Sequence, residues 1–283
     1  MRKKRSSPRL SKRLEMAARL LSPCGTVADV GCDHAFLCIC LVLEGKAERA
    51  IAMDVREGPI GHAKENISLY NCSQAIETRL SDGLDALAPG EAENIVMTGM
   101  GGVLMTELLE RGRDRLTGVR EMVLSPQSHP ELVRSYLQDA GYVIEAEDVC
   151  FDGGKYYAAM RAVRKTSAGS GPRGMPDALR AFVEKVASRV GREDDGAVQI
   201  DAILERECSL EEEARLRYGD ALMYKGNEVY LELLLYERKK AERVLGSLKA
   251  SGAEPEGGER ERFTRRLEVL DCAIRSCEAL KEV

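Results

Sequence analysis

Between residues 28 and 37 the chain reads ADVGCDHAFL, and one turn gathers two aspartates, a glycine and a histidine: Asp29, Gly31, Asp33 and His34. A turn of this kind, after an apolar run, is where nucleotide-like ligands are commonly held. Turns that hold a pyrophosphate use several glycines, so that backbone amides can approach the phosphates at a helix N-terminus. Here Cys32, Asp33 and His34 fill those places. The carboxylates would also repel phosphate. The set suits a ligand that carries positive charge and no phosphate, with Gly31 supplying the tight turn.

Four more polar turns follow at similar places: Asp54, Asp82-Gly83, Gly99-Met100-Gly101-Gly102 and Ser125-Pro126-Gln127. Each closes a strand-like stretch, and ligands of open α/β sheets bind at the carboxyl ends of the strands. A turn explains any one of them; five in register point to one site. Asp54 stands where an acid ending a second strand hydrogen-bonds a ribose diol, a feature shared by dinucleotide-binding and methyl-donor-binding folds. Asp82 could receive an adenine amino group. The glycines of the fourth turn let backbone come close to a reacting group. S-Adenosyl-L-methionine meets these demands, having an ammonium group, a sulfonium cation and no phosphate.

The elements that must position these turns alternate from residue 10 to residue 164. Strand-like segments at 26–31, 49–55, 74–81, 93–99 and 120–126 are interleaved with helix-like segments at 34–45, 58–71, 101–112 and 130–141. Repeated βα units imply a parallel sheet with helices on both faces. Residues 142–164 then give two strands joined by Asp152-Gly153-Gly154, a hairpin signal. One antiparallel strand inside an otherwise parallel, seven-stranded sheet is the layout of class I methyltransferases. The Gly/Ser/Pro-rich stretch at 165–177 is the expected boundary between a unit at 1–165 and a helical unit at 166–283. Within the latter, 209–219 opens with a Ser209/Glu212 capping box and ends at Gly219. Tyr230, Leu234, Glu237, Ala241, Val244 and Leu248, then Phe263, Leu267, Leu270, Ile274 and Cys277, alternate spacings of four and three. Two such seams joined by a turn at 251–258 predict an antiparallel coiled-coil hairpin over about 226–282. Residues 178–208 are weakly periodic and carry no prediction.

Composition is ordinary for a globular protein of 283 residues, with 44% hydrophobic and 31% charged side chains. No apolar run approaches the roughly 20 residues of a membrane span, and the basic N-terminus is not followed by an apolar signal segment, so a cytoplasmic protein without a membrane partner is expected. The nine cysteines are odd in number and sit mostly in apolar runs, which fits reduced thiols. Cys32, Cys38, Cys40 and His34 lack the paired spacing of a zinc site, so no metal is expected. Net charge is −5, yet Arg2, Lys3, Lys4, Arg5, Arg9, Lys12 and Arg13 cluster without an intervening acid. Such a cluster is either a solvated tail or a contact for nucleic-acid phosphates.

The stretches LSKRL (10–14), ADVGCDHAFL (28–37), EGPIGHAKEN (57–66), SDGL (81–84), TGMGG (98–102) and GGKYY (153–157) together resemble the bacterial tRNA (adenine-22-N1)-methyltransferases, the TrmK family. The likeness runs in order through about residues 10–164, with RYG at 217–219 beyond it. The resemblance implies a class I fold, S-adenosyl-L-methionine, and methylation of N1 of an adenine, A22, in tRNA. It puts the methyl donor on Asp29, Gly31, Asp33, His34, Asp54, Gly58, Pro59, Asp82, Gly83, Gly99, Met100, Gly101 and Gly102, and the family's candidate catalytic acid on Asp33. A helical coiled-coil appendage is also characteristic of the family. The chain departs from it after the fifth strand, where Ser125-Pro126-Gln127 stands in place of Gln-Pro-Asn.

Asp33 also precedes HAFLCICL and could serve as a helix N-cap, a role compatible with catalysis. His62 and His129 are expected to be structural or solvent-facing. The basic residues from Arg2 to Arg13 would hold the tRNA backbone, and the helical hairpin would grip tRNA or mediate self-association. Two alternatives stay open from sequence: an enzyme of the same fold acting on a small molecule or protein, and a non-catalytic RNA-binding scaffold with a degenerate pocket.

Overall fold

A computed structural model of the chain describes residues 6–165, 181, 196–220, 224, 227–250 and 258–280. Seven strands form one sheet: β1 (Cys24–Val30), β2 (Ala47–Asp54), β3 (Ile76–Leu80), β4 (Asn94–Thr98), β5 (Glu121–Ser125), β6 (Tyr142–Asp152) and β7 (Lys155–Arg164). Their order is β3-β2-β1-β4-β5-β7-β6. The pairs from β3 to β5 are parallel, and β7 runs antiparallel to both β5 and β6. This is the expected sheet. The chain moves outward from β1 to β3 and then returns to the other side of β1 at β4. The crevice above β1 and β4 is therefore the switch point at which such sheets hold ligands.

Alternation along the strands divides the core between two faces. Ala28, Val30, Ile51, Met53, Ile95, Met97, Met122 and Leu124 belong to one buried cluster, with α4 (Gly102–Arg111) and α5 (Pro130–Asp139). Val27, Ala50, Ala52, Val96 and Val123 belong to the other, with α1 (Lys12–Leu20), α2 (Phe36–Leu43) and α3 (Glu57–Leu69). Helix α2, FLCICLVL, is apolar all round because it is buried from Leu37 to Leu41. It ends in a left-handed Gly45: Gly45 N–H donates to Val42 O and Lys46 N–H to Leu41 O, the paired bonds of a Schellman cap. Helix α1 was not apparent from the sequence, where the strongly basic run up to Arg13 masks the short amphipathic segment that buries Met16 and Ala17.

The predicted boundary stretch at 166–180 lies outside the described residues. Beyond it come α6 (Gly196–Glu207), α7 (Leu210–Tyr218), α8 (Glu228–Ala250) and α9 (Glu259–Ala279). The capping box of α7 forms in both directions between Ser209 and Glu212. Helices α8 and α9 pack together. Arg238 Nε bonds Asp271 Oδ1 at 2.7 Å, and Cys277 lies near Tyr230, so the two run antiparallel. Tyr230, Leu234, Ala241, Leu270 and Ile274 are buried as the seams require, but so are Val269 and Ala273. Helix α9 packs on α7 as well as on α8, which widens its buried stripe beyond a two-helix seam. Among the described residues no helix is long and apolar enough to cross a membrane.

Two ionic clusters attach α6 and α7 to the sheet. Ile200, Leu204 and Leu216 join the core shared with β5, α4 and α5. Arg134 of α5, 3% exposed, donates to Glu147 Oε1 of β6 at 2.7 Å and to the carbonyls of Leu216 and Arg217 at 2.7 and 3.0 Å. Arg217 in turn bonds Glu213 at 2.8 Å and Asp201 at 2.5 Å, and lies 3.7 Å from Glu131. Burial alone would push the Glu131 carboxyl up, but His129 Nδ1 at 3.0 Å and the Arg217 charge together hold it at about 2. A buried charge left without its partner is expensive, whereas a pair removed together is not. Arg134→Met should therefore cost about 3–5 kcal/mol in thermal or urea denaturation, and Arg134→Met/Glu147→Gln should recover much of it. Equal losses in both variants would show that the pairing is energetically silent.

Candidate active site

Gly31 and Cys32 both donate their amides to the carbonyl of Met53, at 2.8 and 2.9 Å, which ties the end of β1 to the end of β2. Gly31 has φ +81, and a Cβ there would meet the Met100 methyl at 3.3 Å. The chain must pass close under the β4–α4 turn at this point, so glycine is needed for conformation and for space. Asp33 (φ 50) and Ala35 (φ 57) are also left-handed, and Ala35, not Asp33, is the N-cap of α2. The capping role open to Asp33 from sequence is thus excluded: two left-handed residues carry the chain three positions onward before the helix starts. Its side chain is free to project, 63% exposed, 3.7 Å from His34. The His34 ring packs against Phe36 and His62, at centroid distances of 5.9 and 5.2 Å.

A cleft of about 400 Å³ opens above this turn, within the size range of small-molecule sites. Asp29, Gly31, Asp33, His34, Asp54, Asp82, Gly83, Gly99 and Met100 all line it. The structure brings these nine sequence-derived residues together. Asp54 is buried and accepts the Arg56 N–H at 2.9 Å. Asp82 is more exposed and lies 2.9 Å from Arg111. Gly58 and Pro59 sit in the first turn of α3, outside the lining, and Gly58 is exposed. Gly101 and Gly102 are outside it too. Gly102 donates its amide to Ser128 O at 2.7 Å, and a Cβ there would fall 2.6 Å from that carbonyl, so it serves the packing of α4 on the β5–α5 loop.

The fifth strand end also stands back. Ser125 Oγ donates to Ala158 O at 2.8 Å, and Gln127 N–H to Met100 O at 2.9 Å. His129, expected to be structural or solvent-facing, is partly buried in a left-handed turn beside Glu131.

Arg13 is the residue whose place sequence reasoning missed. Read there as part of a basic cluster, it lines the cleft: its Nη1 lies 3.8 Å from where a Cβ on Gly99 would stand, with Gln127 Nε2 at 3.9 Å. The guanidinium lies over Tyr157, 5.6 Å from the ring centroid, and the backbone N–H of Arg13 donates to Asp152 Oδ2 at 3.3 Å. No local signal separates it from Arg9 and Lys12, because the hairpin that holds it comes about 140 residues later. Asn66 was missed as well; its Nδ2 donates to His34 O at 3.0 Å and fixes the loop. Residues Arg2 to Arg5 lie outside the described residues.

Asp29, 2% exposed, accepts a hydrogen bond from the Cys38 thiol at 3.4 Å. Burial pushes its carboxyl up to about 7, helped by the nearby Asp54 and opposed by that hydrogen bond. Burial likewise raises the Cys32, Cys38 and Cys40 thiols, which stay protonated. No cysteine is paired in a disulfide, and among the described residues no group of three or more His, Cys, Asp or Glu could hold a metal ion. A carboxyl raised in the fold is stabilising while protonated, and that contribution fades as pH climbs from about 4 through about 7. Between pH 5 and pH 8 the unliganded protein should therefore lose stability relative to Asp29→Asn, by on the order of a few kcal/mol. Parallel melting curves for the two proteins across that range would refute it.

Comparison with known proteins agrees with this geometry. A family model described as "Methyltransferase domain" matches residues 10–160. The Bacillus subtilis (strain 168) tRNA (adenine(22)-N(1))-methyltransferase is 36% identical over 154 residues, 54% of this chain and 65% of that protein. A curated Mycoplasma pneumoniae relative is 28% identical over 142 residues, 63% of its length, so the chain spans slightly under two thirds of the curated relatives it matches. The crystal structure of B. subtilis TrmK, an m1A22 tRNA methyltransferase, superimposes with a TM-score of 0.71 at 27% identity, covering 94% of this chain and 99% of that one. A Streptococcus pneumoniae structure solved with S-adenosyl-L-methionine gives 0.69 at 25% identity, covering 94% and 100%. With more than half its length matched and the cleft at the switch point of its sheet, the chain belongs to the methyltransferase domain family.

Proposed function

We propose that the chain is a cytoplasmic tRNA methyltransferase that transfers a methyl group from S-adenosyl-L-methionine to N1 of an adenine, A22. The observation that carries this reading is the cleft itself. It is rich in carboxylates, has a one-glycine turn unsuited to pyrophosphate, and sits in a chain whose relatives of known name act on that nucleotide.

The residues present fit such a donor. Asp54, buried at the end of β2, offers a carboxylate to a ribose diol. Asp29 and the Gly31 turn suit an ammonium group, and Arg13 beside Gly99 suits a carboxylate. Asp82 is placed for an adenine amino group. When bound, the donor supplies a methyl group activated by a sulfonium centre.

The N1 lone pair of adenine lies in the ring plane and needs no base to free it. The protein's task is alignment, with reacting atoms about 3–3.5 Å apart. N1 is on the Watson–Crick edge, so the base must be exposed or flipped out. The ring becomes cationic as it is methylated, and Asp33, projecting at the mouth, stabilises that charge more strongly once RNA has excluded water. Arg2, Lys3, Lys4, Arg5, Arg9 and Lys12, which precede Arg13 in the sequence, serve as contacts for phosphates. We assign donor binding to residues 1–165, and tRNA contacts to both units.

Incubation with labelled S-adenosyl-L-methionine and bulk bacterial tRNA should yield 1-methyladenosine. Label that appears without RNA, or in another nucleoside, would defeat the reading. Asp33→Ala should lower turnover by about 10²–10³-fold even at saturating donor; near wild-type turnover would remove Asp33 from the chemistry. Deletion of residues 1–9 should weaken tRNA binding more than donor binding, whereas equal losses would indicate a folding defect.

A further inference from the structure

Three aromatic rings meet on the surface where the β6–β7 hairpin approaches α8. Phe151 and Tyr156 face each other across the hairpin, with centroids 4.8 Å apart, and Tyr156 meets Tyr236 of α8 at 5.3 Å. Phe151 is 44% exposed and Tyr236 46%. An aromatic side chain left in water forgoes about 1.5–3 kcal/mol of burial. A contiguous exposed cluster therefore marks an interaction surface.

Its surroundings say what kind. Lys155 adjoins Tyr156 at the hairpin tip and is exposed. Lys239 and Lys240, three and four residues after Tyr236, and Arg243, seven after it, lie on the same side of α8 and are also exposed. Glu232 is the acid nearest the rings on that helix, close enough to bear on Tyr156, and Glu237 lies 3.9 Å from Lys240. Lysine is depleted at the cores of protein–protein interfaces, whereas rings interleaved with basic side chains are how single-stranded nucleic acid is held. The same hairpin reaches the cleft from its opposite face. Tyr157, next in sequence, carries the Arg13 guanidinium, and the hairpin's Asp152 holds the Arg13 N–H.

We propose that Phe151, Tyr156 and Tyr236, with Lys155, Lys239, Lys240 and Arg243, form a second RNA contact that stacks an unpaired base of the substrate and follows its backbone along α8. This rests on the tRNA reading above. The site lies across the seam between the sheet and the helical hairpin, so a bound nucleotide would clamp the two together. Each stacked base is worth roughly 1–3 kcal/mol, or about 5- to 150-fold in affinity.

The test uses the full-length Phe151→Ala/Tyr236→Ala variant, neither residue lining the cleft. Its tRNA dissociation constant should rise at least about tenfold, by the stacking range above, with that for S-adenosyl-L-methionine unchanged. Tyr236→Trp should retain tight binding, and Lys239→Gln/Lys240→Gln/Arg243→Gln should flatten the salt dependence. If the double variant does not fold, ultraviolet crosslinking of the unaltered protein to tRNA decides: adducts within 150–157 or 230–243 support the contact, and adducts only elsewhere overturn it. Unchanged tRNA affinity in a folded double variant overturns it too, and a wild-type dimer that this variant dissociates would instead assign the rings to self-association. Wild-type protein that neither binds nor methylates tRNA would sink the functional reading itself.

Discussion

One carbonyl, that of Met53, receives two amides, Gly31 and Cys32, and everything in the cleft is measured from that knot. It halts β1 beside β2, so that Asp29 and Asp54 become neighbours in a buried floor. It also directs the chain into two left-handed residues that lift Asp33 clear of the helix that follows. Cys32, Asp33 and His34 stand where a pyrophosphate loop carries glycines. Here the substitution has a positive content: where pyrophosphate would need amides, there is a carboxylate floor and a projecting acid.

The two faces of the sheet serve different ends. The face carrying α1, α2 and α3 fixes the turn after β1, and Asn66 of α3 reaches back to hold the loop carbonyl of His34. The other face is closed partly by α6 and α7, from a segment that composition places in a separate unit. Glu213 receives both Arg217 and Arg265, so the polar cluster that begins at His129, beside the β4–α4 turn, runs on into α9. The helical hairpin is thus joined to the edge of the active site through charge pairs as well as through apolar packing.

Much of this was legible in the sequence because it is local. The parallel run of strands and the one antiparallel strand follow from the βα repeat and the terminal hairpin signal at Asp152-Gly153-Gly154. Strand-end turns reveal themselves by residue type, and the α7 capping box by its spacing. What was not legible depends on distant partners. Arg13 belongs to the cleft only because Tyr157 and Asp152 return to it, and its neighbours Arg9 and Lys12 look identical in sequence. Gly101 and Gly102 read as ligand-facing glycines, yet Gly102 is small because the backbone at Ser128 and His129 needs the space. The wider stripe of α9, with Val269 and Ala273 buried, reflects a third helix that no two-helix heptad can announce.

Arg134 recognises the α7 segment through the carbonyls of Leu216 and Arg217, not through their side chains. Every residue type carries the same carbonyl, so this grip is indifferent to what occupies those positions. That bond would outlast a substitution at either position, so any loss of fit there would fall on the buried Leu216 side chain and on the Arg217 ion pairs.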